Sequence, residues 1–546
     1  MPRNRLRRPV LLLAFTLVPR GLAMPKSDNI IVGIDIGTHK VCTIVAEADA
    51  GTGSRINVLG VGAVASEGMF KGMVTDIVKA SSSVAHSLEA AERQSGCRIL
   101  SAYVSISGNH ISSINNRGLV AVSNPDRIVG QDDVTRAIEA ARAIAIPAGR
   151  DVLHVIPRTY TVDGQEGIRN PIGLSGFRLD VEAHIVTCAN NVRENLIRCV
   201  QQADVEVDDL VLSPLASAEA VLTEQEKNLG VVLVDIGHGT TDIAVYADGS
   251  VWHSKVIPVG GWQLTNDLAV VFNIPYEAAE ALKLQYGHAV VPGTAIHTGP
   301  RIGAHPWPTA HSSNGKSHPY TPYPHSHAYP HAYPDPQPPH SYAYNDGLAH
   351  GLARTLGQEN SAVGLSTPED YHTTDGSGDR NAGASRSRYQ RPEHPEDEVL
   401  EAQGFSGETV RIRRSQLNEV IAARLDQMFA LIGDEIRRSG YESLLPAGVV
   451  LTGGVASMPG IEPHAAHKLK MPVRTGRPQR IGGLSDAFDS PAYATSVGLI
   501  LWGMRQSGQG TSPRIGPYMP ASARRGTGED RANSLLNWLK SFLPRD

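Results

Sequence analysis

Two segments about two hundred residues apart carry the residues of phosphate-binding turns. The first is Val32-Gly33-Ile34-Asp35-Ile36-Gly37-Thr38-His39-Lys40, and the second is Val234-Asp235-Ile236-Gly237-His238-Gly239-Thr240-Thr241-Asp242. Each is an apolar strand with an Asp at its end, a Gly turn and small hydroxyl residues, followed by a second apolar run. Such a turn aims backbone N–H groups at a phosphate and sets a carboxylate where it can meet the accompanying metal. One such loop is weak evidence. Two, each opening a hairpin, predict two facing lobes that clamp one nucleotide. A third segment, Val449-Val450-Leu451-Thr452-Gly453-Gly454-Val455-Ala456, reads as a buried strand ending in a Gly pair that admits a flat ligand such as adenine or ribose.

The elements that must position these turns are legible as periodicity. Strands are predicted through residues 29–65, at Ala102–Ile106 and at His184–Thr187. Helices are predicted at Val74–Gln94, Asp132–Ala145, Val192–Ala203, Ser213–Leu222 and Tyr276–Tyr286. Another spans Gln416–Arg438, where Val420, Ile421, Leu425, Met428, Ile432 and Ile436 form one stripe. A chain of 546 residues should hold two to four domains. Its 41% apolar content and net charge of −5 are ordinary for a soluble globular protein and give no sign of nucleic-acid binding. Cys42, Cys97, Cys188 and Cys199 are too few and too scattered for a disulfide framework or a zinc site, and they fit a reducing compartment.

Between about Pro292 and Pro395 the composition shifts to Pro, His, Tyr, Ser and Gly, and His327-Ala328-Tyr329-Pro330 repeats at once as His331-Ala332-Tyr333-Pro334. Too little apolar surface is available there to offset chain entropy, so a disordered insertion in a surface loop is expected. At the start, Arg3, Arg5, Arg7 and Arg8 precede an apolar run from Pro9 to Val18, in the manner of a signal peptide. Export conflicts with the predicted nucleotide clamp, since ATP would be lacking outside the cytoplasm. The preferred reading is an over-extended start with Met24 as initiator, and the other is an extension lying on a membrane. After Trp502 a polar linker leads to Ser534–Leu543. There Leu535, Leu536, Trp538, Leu539, Phe542 and Leu543 share about 160° of a helical wheel, opposite Asn537, Lys540 and Ser541. Trp and Phe suit the headgroup boundary, and Lys540 and Arg545 suit anionic lipid. Six side chains at about 1 kcal/mol each give roughly 6 kcal/mol before helix ordering takes part of it back. One tail would then hold weakly and many in a polymer tightly.

The three turn segments resemble the phosphate-one, phosphate-two and adenosine motifs of the actin and sugar-kinase superfamily. From about Asn29 to Trp502 the chain resembles FtsA, the bacterial actin homologue of cell division. The resemblance rests on His154-Val155-Ile156-Pro157, on Gln165 through Gly176, and on Leu215-Ala216-Ser217-Ala218-Glu219-Ala220-Val221-Leu222. It implies an α/β, actin-like two-lobed ATPase fold of duplicated ribonuclease-H-like domains with an FtsA-type inserted small domain. The implied divisions are an N-terminal extension (1–28), lobe I (29–106 and 188–229), a small subdomain that helps filament contacts (107–187), and lobe II (230–291 and 396–504). The insertion (292–395), a linker (505–532) and an amphipathic membrane-targeting helix (533–546) complete the chain.

The resemblance also implies the ligands ATP and Mg²⁺. Asp35 and Asp235 would hold the metal, largely through water. Gly37, Thr38, His39, Lys40, Gly237, His238, Gly239, Thr240, Thr241, Asp242, Gly260 and Gly261 would surround the phosphates. Glu280, Lys283, Gly453, Gly454 and Val455 would meet the nucleoside. Glu280 and Lys283 also read, by spacing alone, as an exposed ion pair. Asp235 is the catalytic candidate, with Glu219 where actin has its water-orienting Gln, and hydrolysis is expected to be weak at most. Implied partners are the FtsZ C-terminal tail, further copies of the chain, later division-site membrane proteins and an anionic membrane surface. The implied place is the cytoplasmic face of the cell membrane at the division site. Two departures stand out: His238 replaces the family's usual Gly, which would crowd the phosphates, and the insertion is unusually long. The competing readings are a sugar-type kinase, a chaperone ATPase and a pilus-assembly actin homologue. A kinase would need a catalytic Asp and a polyol pocket, neither of which is evident. A chaperone would need a β-rich substrate domain, and the pilus proteins lack the terminal lipid helix.

Overall fold

The computed structural model describes residues 30–48, 56–289, 398–479, 481–483, 488–507 and 515–517. The expected N-terminal extension, insertion (292–395) and amphipathic helix (533–546) therefore lie outside the described residues.

Two sheets repeat one plan. In the first, strand Ile30–Ile36 is flanked on one side by Lys40–Ala48 and then Ile56–Ala65, all antiparallel. On its other side run the parallel strands Ser101–Ile106 and Glu206–Leu212. In the second, Val231–Ile236 has antiparallel Thr241–Ala247 and Ser250–Ile257 on one side. Parallel Val449–Thr452 and Val473–Thr475 lie on the other. Both central strands are apolar runs buried along nearly their whole length, as expected of strands covered on both faces. In lobe I, Ile481–Gly483 adds a sixth strand beside Ile56–Val58.

Between the sheets lie two helices, Ser213–Val221 and Ala494–Ser507. One core joins Ile31, Ile44 and Tyr103 of lobe I, Leu215 and Leu499 of the helices, and Leu233 and Val450 of lobe II. The helices touch backbone to backbone at Gly498, where an added Cβ would lie 1.8 Å from the Ala216 carbonyl oxygen. Lobe II has a second core, in which Val420, Ile421, Leu425, Met428, Ile432 and Ile436 of helix Arg414–Ser439 are all buried.

The first predicted helix starts at Ile77, later than its apolar pattern, because the Asp76 carboxylate accepts the N–H groups of Val78 and Lys79 and caps it. Chain 112–189 leaves lobe I to form a separate antiparallel sheet. Its strand order is Gln165–Ile168, Arg150–Val162, Arg178–Ala189, Ser112–Ala121, and helix Gln131–Arg142 packs over its own small core. This subdomain leans on lobe II through the Ser113 hydroxyl, which donates to the Ser254 carbonyl, and through Arg158, stacked over Trp252.

Candidate functional site

The two hairpin turns are built alike. The Gly37 N–H donates to the Lys40 carbonyl at 3.0 Å, and the Gly237 N–H donates to the Thr240 carbonyl at 2.9 Å. Each Gly thus closes a tight turn immediately after the strand whose second-last residue is Asp35 or Asp235.

Both carboxylates are held by hydroxyls that come from elsewhere in the chain. Asp35 accepts from Ser105 at 2.8 Å and from Ser496 at 3.1 Å. Asp235 accepts from Ser217 at 2.6 Å and from Thr495 at 3.1 Å. Asp242, beside Asp235 on the return strand, accepts from Ser107 at 2.5 Å and from Thr240 at 3.0 Å. Helix Ala494–Ser507 therefore bonds one carboxylate of each lobe from adjacent residues, and helix Ser213–Val221 reaches Asp235 as well. Burial raises all three acids above the ordinary carboxylate range. Asp235 rises to about 6, helped by Asp35, and Asp242 to about 7, helped by Asp235. Three acids crowded in one low-dielectric place favour a cation. Among the described residues no group of three His, Cys, Asp or Glu forms a direct metal cage. Carboxylates are hard oxygen donors of the kind that take ions such as Mg²⁺.

Lys40 brings a cation into the same space. Its ammonium donates to the Ala492 carbonyl at 2.7 Å and lies 3.4 Å from the Tyr493 ring centroid, and burial lowers its pKa. Thr38 accepts the Gly72 N–H at 3.2 Å, and Thr241 donates to the Val259 carbonyl at 2.8 Å. The imidazoles of His39 and His238 face each other across the lobes with centroids 4.8 Å apart. Gly260 and Gly261 fold beneath the second turn, where the Gly261 N–H donates to the Gly237 carbonyl at 2.9 Å. Gly453 follows the strand Val449–Thr452 at φ 87°, a left-handed backbone conformation. An added Cβ there would come 2.4 Å from Asp235 Oδ1, so only Gly leaves the carboxylate its place. Gly454 has open space where a Cβ would stand, and Val455 is buried at the start of a short turn of 3₁₀ helix.

Two readings change with the structure. Glu280 and Lys283 form no exposed pair. Lys283 is buried, lies 2.7 Å from Glu280 and donates to Thr265 at 2.8 Å, and Thr265 in turn bonds Glu280. Burial lowers the Lys283 pKa; it would raise that of Glu280, but the Lys283 ammonium and the Thr265 hydroxyl together bring it below its ordinary value. Glu219 does not join the acid cluster. It accepts from Arg505 at 2.9 Å and lies 3.5 Å from the Lys227 ammonium. Two residues along an α-helix rotate a side chain by about 200°, so the turn that points Ser217 at Asp235 points Glu219 away.

The hydroxyls of Ser105, Ser107, Ser217, Thr495 and Ser496 were not singled out from the sequence. Their signal is that small polar residues stand on, or directly after, otherwise apolar elements.

Twice-repeated sheets, facing Asp-Gly turns and two helices crossing between them define an actin-like, two-lobed α/β protein with an inserted small subdomain. Residues 108–187 match the family described as "SHS2 domain inserted in FTSA", and residues 232–311 match "Cell division protein FtsA". The cell division protein FtsA of Pseudomonas aeruginosa is 36% identical over 494 residues, covering 90% of this chain and 94% of that protein. The FtsA of Escherichia coli K12 is 32% identical over 483 residues, covering 87% and 90%. The chain belongs to the FtsA family of cell-division proteins. Among solved structures, one titled "PilM-PilN type IV pilus biogenesis complex" aligns with 87% of this chain and 98% of its own at 13% identity and a TM-score of 0.49.

Proposed function

We propose that this chain binds ATP with Mg²⁺ between its lobes, polymerises on the inner face of the cytoplasmic membrane at the division site, and tethers FtsZ filaments there while recruiting later division proteins. The observation that carries the nucleotide part is the pair of Asp-Gly turns held face to face. Lys40 and the three acids Asp35, Asp235 and Asp242 gather beside these turns, which suits an anionic phosphate chain and its cation. Asp35 and Asp235 would position the hydrated ion, the Gly37 and Gly237 turns the phosphates, and Gly453, Gly454, Val455, Glu280 and Lys283 the nucleoside. The buried carboxylates are spoken for by hydroxyls, and Glu219 is tied to Arg505 and Lys227. That arrangement supports slow hydrolysis and a nucleotide that governs assembly. Membership in the division family, together with the apolar arc of Leu535, Leu536, Trp538, Leu539, Phe542 and Leu543, supports the anchor.

The test is flotation of the full chain on anionic liposomes with ATP. Trp538→Glu places a carboxylate in the acyl boundary and should release the protein, at roughly 3 kcal/mol or more per tail, while ATP affinity stays unchanged. Equal flotation of the variant and the parent would remove the anchor from this reading.

A further inference from the structure

Helix Ile77–Ser95 ends at Gly96, whose backbone is left-handed at φ 72°, and the chain then runs out as a short strand, Cys97–Ile99. Its alternation sends Cys97 and Ile99 into the lobe I core and leaves Arg98 half-buried. The Cys97 N–H donates to the Ser95 hydroxyl at 3.3 Å, and the Ile99 N–H donates to the Glu92 carboxylate at 2.8 Å. The Arg98 N–H is left for a neighbouring strand. Among the described residues that neighbour is Ile515–Pro517, antiparallel, with Ile515 opposite Ile99, Gly516 opposite Arg98 and Pro517 opposite Cys97. Pro517 carries no N–H, so the pairing stops there, as suits a strand at an edge. The seat is within reach of the same chain. Helix Ala494–Ser507 lies against the strand that follows, since an added Cβ on Gly503 would come 2.6 Å from the Tyr103 ring. Only residues 508–514 separate the end of that helix from Ile515, a span of about 27 Å at most.

We infer that this edge of lobe I is the seat of the chain's own linker, a clasp that fixes where the proposed membrane helix leaves the body. The inference rests on the reading that residues 533–546 bind the membrane. Without the clasp the tether would comprise residues 508–532, about 85 Å when fully extended. With it the tether comprises only residues 518–532, about 50 Å. The effective concentration of a second tail falls roughly as the −3/2 power of tether length, so the shorter tether raises it about twofold for each tail in a polymer. The clasp also gives every subunit the same exit, beside the end of helix Ile77–Ser95, so that this side of lobe I is turned to the bilayer. The loop that seats the strand in cis is short, which keeps its entropic cost below that of recruiting the strand from another molecule.

The test uses the native Cys97 as its probe. Opposite residues of antiparallel strands have Cα atoms about 4.5–5.5 Å apart, a separation that a disulfide spans. Pro517→Cys in the full chain should therefore close a loop to Cys97 on mild oxidation with diamide, read by mass spectrometry with Cys97→Ser as the blank. It should do so roughly tenfold faster than Thr527→Cys, which lies beyond the clasp. Adding Gly516→Pro to Pro517→Cys removes the N–H opposite Arg98 and should slow that closure about tenfold. The locked and the reduced Pro517→Cys chains should float equally on anionic liposomes, because the tail leaves beyond residue 517. Equal rates for the Pro517→Cys and Thr527→Cys chains would overturn the clasp and leave the anchor reading standing. A crosslinked dimer in place of the internal loop would give the edge to a neighbour's linker and overturn the seat in cis. Loss of flotation on locking would overturn the clasp as well, since a tail leaving here could not reach the membrane. A parent chain that fails to float removes the anchor and the tether role with it, whereas the oxidation rates, read without lipid, report the seat by itself.

Discussion

The two lobes carry the same turn with opposite chemistry. In the first hairpin Asp35 pairs in register with Cys42, and in the second Asp235 pairs with Asp242. Counting outward from each turn, Lys40 in lobe I stands where Thr240 stands in lobe II. Lobe I thus brings a buried ammonium and a thiol that burial pushes up to about 11, whereas lobe II brings a second acid that burial pushes up to about 7. A duplicated frame has become a polarised cleft, with cation on one wall and excess carboxylate on the other. The difference shows that the shared sheet plan fixes where the turns stand, while residues five and seven positions beyond each Asp decide which charge each wall offers.

The largest effect should come from breaking the seam that holds both walls. Gly498→Val would drive Cβ into the Ala216 carbonyl, where only 1.8 Å is available. A backbone atom cannot rotate aside, so the helices must part at a cost of about 3 kcal/mol or more. A melting temperature within a few degrees of the parent's would show that the seam relaxes.

Next in size is Asp235→Ala. On the proposed reading it should weaken ATP binding about a hundredfold or more, ~2.7 kcal/mol, because the carboxylate proposed to position the cation is lost and Ser217 and Thr495 lose their acceptor. Unchanged affinity by calorimetry would mean the cleft is misassigned.

Asp242→Asn sharpens the comparison, since it gives lobe II a neutral residue opposite its Asp, as Cys42 is in lobe I. Folded Asp242 keeps its proton to about pH 7, far above its ordinary value of 3.8. The folded state therefore binds more protons between those values. Stability without Mg²⁺ should be greatest at the acid end of that window and fall as pH rises through about 7. The Asn variant should flatten that slope, by roughly 1–2 kcal/mol in thermal melts across the range. A slope equal to the parent's would place its source elsewhere.

The smallest effect is expected from Glu219→Gln, because its carboxylate serves Arg505 and Lys227 rather than the cleft. Nucleotide affinity and turnover should stay within about twofold. A tenfold loss of turnover would return Glu219 to the site.

Local chemistry made much of this protein readable from its sequence. An Asp at a strand end, a Gly turn and returning hydroxyls are contiguous, so both phosphate-type turns and the Gly453-Gly454 turn could be found by inspection. The stripe from Val420 to Ile436 was equally plain, because a helix repeats its buried face every three or four residues. The partners of the acids were not readable. Ser105 lies 70 positions from Asp35, Ser496 lies 461 from it, and Thr495 lies 260 from Asp235. A serine in an apolar helix looks the same whether it faces solvent, backbone or a carboxylate. Only the crossing of Ser213–Val221 with Ala494–Ser507, set by the close backbone contact at Gly498, aims those hydroxyls at both lobes at once. The same crossing turned Ser217 inward and Glu219 outward. The burial that makes Glu280 and Lys283 a desolvated pair likewise exists only once lobe II has packed around Thr265. Sequence fixes which groups are available and in what local turn. Their mutual distances, and therefore their protonation and partners, belong to the packing of elements hundreds of residues apart.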